Sequence, residues 1–494
     1  MVINIILAIL VLSIIIIIHE FGHFIVAKAN GITVVEFSLG FGPKLIHFKK
    51  GETEYSLKLL PFGGACIMLG EDFLEADDDE QEDATEGNNT GKSGSELDND
   101  FCTGKTAEDN GFGNASRYSS DNTSAGSYMS EKKKQEALEA GYDMSKSFAN
   151  KSVWARIAVI AAGPIFNFIL AFVCSVVIIG SIGYDPCMVD VVYDNSPAVS
   201  AGLQEGDKIK KVNNQKITFY RDYSFYRVYH ADDTMNITYE RDGQKYTTTL
   251  TPEYVKQQKY QMGVTLEQNG TIAGVSDGTP AQKAGIKKGD IITAVNGVAV
   301  DGSTKIIELV GQCNGESVDI TINRNGNTMQ LNVTPDSVEN EYYYTGFASY
   351  GARQKVSPIS VIGYAFKEVG YSVNTVVKSL GMMFTGQVGI NDLSGPVGTV
   401  SAMSNIVEES KADGTFYVIL NLLNLAGLIS ANLGVMNLLP IPALDGGRLV
   451  FLILEVLRGK PVKKEHEGMV HFVGMIFLFV LMIYVMFKDI RGLF

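Results

Sequence analysis

Ile14-Ile-Ile-Ile-Ile-His19-Glu20-Phe-Gly-His23-Phe-Ile-Val-Ala27 sets three polar residues inside an otherwise apolar helical run. Imidazoles at i and i+4 stand one turn apart on one helix face, close enough to share one Zn²⁺, with the intervening carboxylate beside it. Ionisable groups are costly inside an apolar run of membrane length, so their presence there points to chemistry. The plainer alternative is a pair of histidines capping a buried helix.

Working outward, residues 2–29 are long and apolar enough to cross a bilayer, which takes about 20 residues. No basic stretch precedes the run, and cleavage at Ala27-Lys28-Ala29 would discard the motif, so it reads as a first transmembrane helix and not as a signal peptide. Three more spans are expected over 155–183, 416–439 and 469–487. The second carries Gly163-Pro164 and Asn167. The third carries Asn421, Asn424 and Asn432 on one side, facing protein or substrate. It ends in Asn437-Leu-Leu-Pro440-Ile-Pro442-Ala-Leu-Asp445-Gly-Gly-Arg448, where Pro and Gly deny a regular helix and leave one acid at a membrane mouth.

Between the first two spans, 33–68 alternates apolar and polar residues around Gly40, Gly42-Pro43, Gly51 and Pro61-Phe-Gly-Gly64, the pattern of strands with turns at the membrane interface. A net charge of −14 on 494 residues suggests an acidic protein, yet residues 71–130 hold 16 Asp/Glu against three Lys/Arg. The rest is nearly neutral, which excludes a nucleic-acid footprint. The acidic stretch is poor in aliphatics and is expected to be a disordered insert over 71–150. Five scattered cysteines argue against a disulfide framework and leave only a Cys187–Cys313 pairing open.

From 185 to 350 a module recurs at an offset of 83 residues. Ser196-Pro-Ala198, Ala201-Gly-Leu203, Gly206-Asp207 and Val212-Asn213 return as Thr279-Pro-Ala281, Ala284-Gly-Ile286, Gly289-Asp290 and Val295-Asn296. The two copies look like PDZ domains, placed at 185–260 and 261–350, modules that bind extended peptides along a sheet edge. Met262-Gly-Val264 supplies a loop able to cradle a carboxylate. Residues 351–412 read as an amphipathic region on the membrane surface, and 413–494 as the third and fourth spans. Lys and Arg cluster at 28–58, 132–156 and 448–464, which puts those segments in the cytoplasm and the PDZ-like pair outside.

A catalytic zinc takes three protein ligands and keeps one open position. Asp445, His47, His466 and His471 compete for the third place, and Asp445 leads because it sits in a fixed turn among apolar residues.

With these motifs the chain resembles the site-2 protease family of intramembrane zinc metalloproteases. Within it, the likeness is to the bacterial, regulator-of-sigma-E type with tandem PDZ domains. The matching stretches are His19 to His23, Phe37 to Pro43, Leu60 to Gly64, Ser152-Val-Trp154 with Arg156, Ala162 to Asn167, and Asn437 to Gly446. The resemblance implies a multi-pass helical membrane protein with a membrane-associated β element and two inserted PDZ-like α+β domains. It implies Zn²⁺ on His19, His23 and Asp445, Glu20 as the base, Asn437 as a residue that positions substrate and Asn167 as the family's membrane Asn. On physical grounds Asn432 and Asn167, polar within the spans, are expected to help hold substrate as well. It further implies single-span membrane substrates of anti-sigma-factor type, trimmed beforehand by another protease. Ala65-Cys66 departs from the Tyr-Val that the family typically places after its Gly pair. A non-catalytic PDZ scaffold and a broken-helix transporter are the rival readings.

Overall fold

The computed structural model describes residues 2–71, 138–139, 141–267, 269–386, 389 and 395–491. The acidic stretch over 72–137, expected to be disordered, lies outside them. Two compact units emerge, Met1–Gly183 with Val356–Phe494, and Tyr184–Lys355.

In the first unit, four helices among the described residues are long and apolar enough to cross a membrane: Asn4–Ala29, Val153–Ile182, Thr415–Leu438 and His466–Arg491. Lipid offers no partner to backbone polar groups, so runs this apolar are stable there only as helices that satisfy their own N–H and C=O. Ile15 and Ala27 of the first helix and Val159, Ile160 and Cys174 of the second are buried where these helices pack.

The residues after the first helix form strands Val34–Lys50 and Thr53–Met68, each folded on itself. Residues 34–39 lie between 54–57, alongside which 36–39 run in parallel register, and 64–68, with which they pair antiparallel, while 46–50 pair antiparallel with 53–57 on the far side. The turns fall at Gly40, Gly42, Gly51 and Gly63, all at positive φ. The segment 64–68 is therefore a sheet edge.

The second half of this unit departs from the sequence expectation in two ways. Residues Pro396–Ser410 form a helix of their own. Its Glu408 accepts from Asn4 Nδ2 at 3.0 Å, and its Ser410 accepts from Asn421 Nδ2 at 2.7 Å; Asn421 thus touches protein through its amide, although it is exposed, as is Asn424. Asp445-Gly-Gly-Arg448, expected to be irregular, instead opens the helix Asp445–Arg458. Only 439–444 break the chain. Glycine at 446 and 447 allows the new helix to press on the carbonyls of Leu438 and Ile441, each 2.5 Å from where a Cβ would stand. The insert also closes earlier than expected. Phe148 N donates to Leu69 O at 2.8 Å and Thr33 N to Lys146 O at 3.0 Å, so the chain is back beside its point of departure before residue 150.

In the second unit each module has a four-stranded antiparallel sheet and one longer helix. The strand orders are 215–216, 208–212, 235–241, 244–250 and 298–299, 291–295, 318–324, 327–333. Their cores correspond at the same offset of 83, with Ile209, Val212, Met235 and Ile237 matching Ile292, Val295, Val318 and Ile320. The modules are nested, not consecutive. Val191–Val192 pairs with Phe347–Ala348, beyond the second module, and the long strands Glu253–Gln261 and Asp336–Tyr344 pair with each other between them. Gly346 meets Ser196 in the first copy as Gly263 meets Thr279 in the second. Residues 346–348, expected to belong to the second module, thus complete the first. Cys187 lies in one core and Cys313 packs against the other, and both are free.

The repeated Gly-Asp step holds an ion pair in both copies. Arg241 reaches Asp207 and the carbonyl of Gly202, and Arg324 reaches Asp290 at 2.7 Å and the carbonyl of Gly285. The Arg324 guanidinium holds the Asp290 carboxyl below its ordinary 3.8. A depressed carboxylate contributes stability above its unfolded value and loses it as pH falls through its folded one. Asp290→Asn is therefore expected to destabilise the second module by about 1–2 kcal/mol at pH 7, the loss of hydrogen bonds to a charged group. Denaturant titrations of both proteins should begin to approach each other only as pH falls below 3.8, and should meet once it is below the depressed value of the folded Asp290.

Candidate metal centre

The first helix brings His19 and His23 to the face that packs on Val153–Ile182. Both rings are nearly buried, at 7% and 6% exposure. His23 Nδ1 lies 2.8 Å from the Val159 carbonyl, so it donates there and leaves the Nε2 lone pair free. That Nε2 points at His19 Nε2, 3.2 Å away. Asp445 Oδ2, from the start of its helix, stands 3.1 Å from His19 Nε2 and 3.5 Å from His23 Nε2. One ligand atom from each of the three residues lies within 4.8 Å of the others.

This donor set fits a divalent cation. Asp445 Oδ2 is buried and accepts no hydrogen bond among the described residues. Two imidazole lone pairs and a carboxylate converging in a buried place repel one another unless a positive charge lies between them. Two imidazoles and one carboxylate form a donor set that zinc uses, and three protein ligands leave a position open. Gly163 faces the rings from the second helix. A Cβ there would stand 2.7 Å from His19 Cε1 and closer still to His23 Nε2, so only glycine leaves the imidazoles their place. The Gly163-Pro164 pair, legible in the sequence as a kink, carries this second meaning.

Glu20 lies between the two histidines in sequence, and its side chain runs under the sheet edge. A Cβ on Gly64 would stand 2.9 Å from Glu20 Cγ. The edge strand 64–68 thus begins beside the candidate base.

The other expected residues fall in different places. The Asn167 side-chain amide lies 3.1 Å from His19 Nδ1; turned so that its buried, otherwise unpartnered Oδ1 accepts the Nδ1–H, it leaves His19 Nε2 the lone pair a metal needs, and the Asn167 backbone oxygen accepts from Ser430 Oγ at 2.8 Å. Asn167 is fully buried, so it orients the His19 ring and does not face substrate, as had been expected of it. Asn437 Nδ2 is 3.5 Å from His19 Nε2, at the mouth of the cluster. Asn432 stands apart, with a buried Oδ1 that has no partner among the described residues. Of the rival third ligands, His47 pairs with Glu54 at 3.2 Å, His466 is exposed, and His471 accepts from Ala443 N at 2.9 Å. Sequence reasoning missed the contributions of Gly163 and Val159, since neither residue type signals a metal site.

Comparison with known proteins extends this picture along the chain. The zinc metalloprotease RasP of Bacillus licheniformis is 31% identical over 98% of this chain and 98% of its own length. The regulator of sigma-W protease RasP of Bacillus subtilis is 30% identical over 96% and 95%. Among solved structures, the HtrA3 PDZ domain aligns with 17% of this chain and 93% of its own, at 19% identity and a TM-score of 0.16. The model of peptidase family M50 matches residues 7–481. That stretch takes in the first helix with His19, Glu20 and His23, the helix with Gly163, and the turn with Asp445. From its first helix to its last, the chain belongs to peptidase family M50.

Proposed function

We propose that this membrane metallopeptidase holds Zn²⁺ on His19, His23 and Asp445 and hydrolyses a peptide bond in or beside the transmembrane helix of single-span proteins. The observation that carries the reading is the convergence of two imidazole nitrogens and an unpartnered carboxylate oxygen inside a membrane-length helix pair. When bound there, zinc supplies Lewis acidity and makes water an effective nucleophile near neutral pH. The residues of the chain do the rest. Asn167 and the Val159 carbonyl fix the two rings. Glu20 accepts the proton of the water whose oxygen attacks the scissile carbonyl carbon, then delivers it to the amine nitrogen as the C–N bond breaks. Asn437, at the mouth, holds freed substrate backbone.

A membrane helix shields its own peptide bonds, so the substrate must unwind before it is cut. The sheet edge at 64–68, next to Glu20, offers an unwound segment the backbone partners it gives up. The Lys and Arg clusters support a cytoplasmic position for the hairpin and the Asp445 turn, with the PDZ-like pair outside. The RasP of Bacillus subtilis is called a regulator of sigma-W protease. By that likeness the substrates are anti-sigma factors, already trimmed by another protease, and the outer modules exclude untrimmed chains.

One experiment tests enzyme and filter together. Detergent-solubilised full chain is given single-span reporters with and without a bulky outer domain, in native, chelated and zinc-restored form. A variant lacking 185–353 is run beside it. Tyr184 and Gln354 already pair, N to O at 3.1 and 2.8 Å, so the excision joins neighbours. The expected result is zinc-dependent cutting of the trimmed reporter by the whole chain and of both reporters by the excised one. Unchanged discrimination after excision removes the filter. Inert protein that retains zinc, against a panel of trimmed helices, returns the chain to the scaffold reading.

A further inference from the structure

Asp445 reaches its partners from a tightly constrained stretch of backbone. Pro440 and Pro442 fix φ at two of the positions before it. Ala443, two residues ahead of Asp445, stands at φ +74°, a left-handed conformation that a residue with a Cβ avoids unless its surroundings impose it. In this conformation its N–H meets the last helix, where it donates to His471 Nδ1 at 2.9 Å. His471 is 4% exposed, and its ring lies 5.6 Å from that of Phe451 on the Asp445 helix. Three residues on, Gly474 lies against Pro442, whose carbonyl oxygen would be 2.8 Å from a Cβ there. The last helix thus presents an acceptor and a flat spot to the turn that carries Asp445.

We propose that His471 is a positioning residue for Asp445. It accepts the Ala443 N–H and so keeps that residue left-handed, which turns the Asp445 carboxylate toward His19 and His23. The proposal rests on the reading of Asp445 as a zinc ligand. It requires Nδ1 to be unprotonated, so the neutral ring carries its proton on Nε2. Residues that orient metal ligands typically change affinity by about 10–100-fold when replaced.

The test uses the full solubilised chain and reads zinc affinity by competition with a chelator, together with kcat and KM on a trimmed reporter. His471→Leu fills the space without an acceptor and is expected to lower zinc affinity about 30-fold, with a fall in kcat and little change in KM. His471→Asn loses the ring but keeps an acceptor near the Nδ1 position, and is expected to recover most of the affinity. Ala443→Gly added to His471→Leu is expected to recover part of it, because glycine adopts positive φ without help. The proposal falls if Leu and Asn variants are equally impaired, which would mark ring packing as the role, or if His471→Leu binds zinc as the native chain does. Asp445→Asn separates the two readings. If it retains native zinc affinity, the ligand assignment falls and takes this proposal with it. If it loses zinc while His471→Leu does not, the positioning role alone falls.

Discussion

Replacing Glu20 by Gln is expected to leave one zinc bound per chain and to lower kcat by about 10³-fold, with KM nearly unchanged. Glutamine has the shape of the carboxylate and can hydrogen-bond to water, but it cannot take a proton and return it. The histidines on either side depend on Val159 and Asn167 for their orientation, not on Glu20, so the metal should stay. Metal content by atomic absorption, measured beside single-turnover cleavage of a reporter helix, checks both halves. A loss of less than about tenfold would assign the base to another group, and loss of zinc would make Glu20 part of the metal's support.

Gly163→Ala should do the opposite and empty the centre without touching a ligand. One added methyl stands 2.7 Å from His19 Cε1 and nearer to His23 Nε2. The His23 ring cannot swing aside freely, because its Nδ1 is held by Val159 one turn earlier on the same helix that carries the methyl. Either the ring leaves its carbonyl or the two helices part. Gly22 resists parting from the other side, where a Cβ would stand 2.5 Å from the Ala162 carbonyl oxygen, evidence of how closely the backbones approach. Zinc affinity is expected to fall about 100-fold, and activity with it, while the thermal unfolding of the two PDZ-like modules stays as in the native chain. Native zinc content in the alanine variant would show that the imidazoles yield to the added methyl without leaving the metal.

What the sequence made legible follows from periodicity and cost. Membrane spans, the His-Glu-x-x-His pattern and the 83-residue repeat are each written in neighbouring residues, and an acid at 445 among apolar residues needed a partner. The features that stayed hidden join residues far apart in the chain. Nothing local in Gly346-Phe-Ala348 says that it pairs with Val191–Val192 some 155 positions earlier, because short apolar strands look alike whichever sheet they enter. Asn167 was legible as a buried polar residue, but its partner was not, and His19 proved to be that partner. Gly446 and Gly447 were taken as helix breakers on propensity alone. Close packing against the preceding turn makes small residues necessary there, and tertiary contact outweighed the propensity.

The nesting of the two PDZ-like modules sets an order in time. A chain made from its N-terminus delivers strands 191–250 of the first module early, but that module waits for 347–348 to complete it. By then the second module has received all its strands, 264–333, and can close on its own core. The inner module is therefore the first to become protease-resistant. The first module, which encloses it in sequence, stays open through about a hundred residues of synthesis and is the one left accessible to proteolysis over that interval.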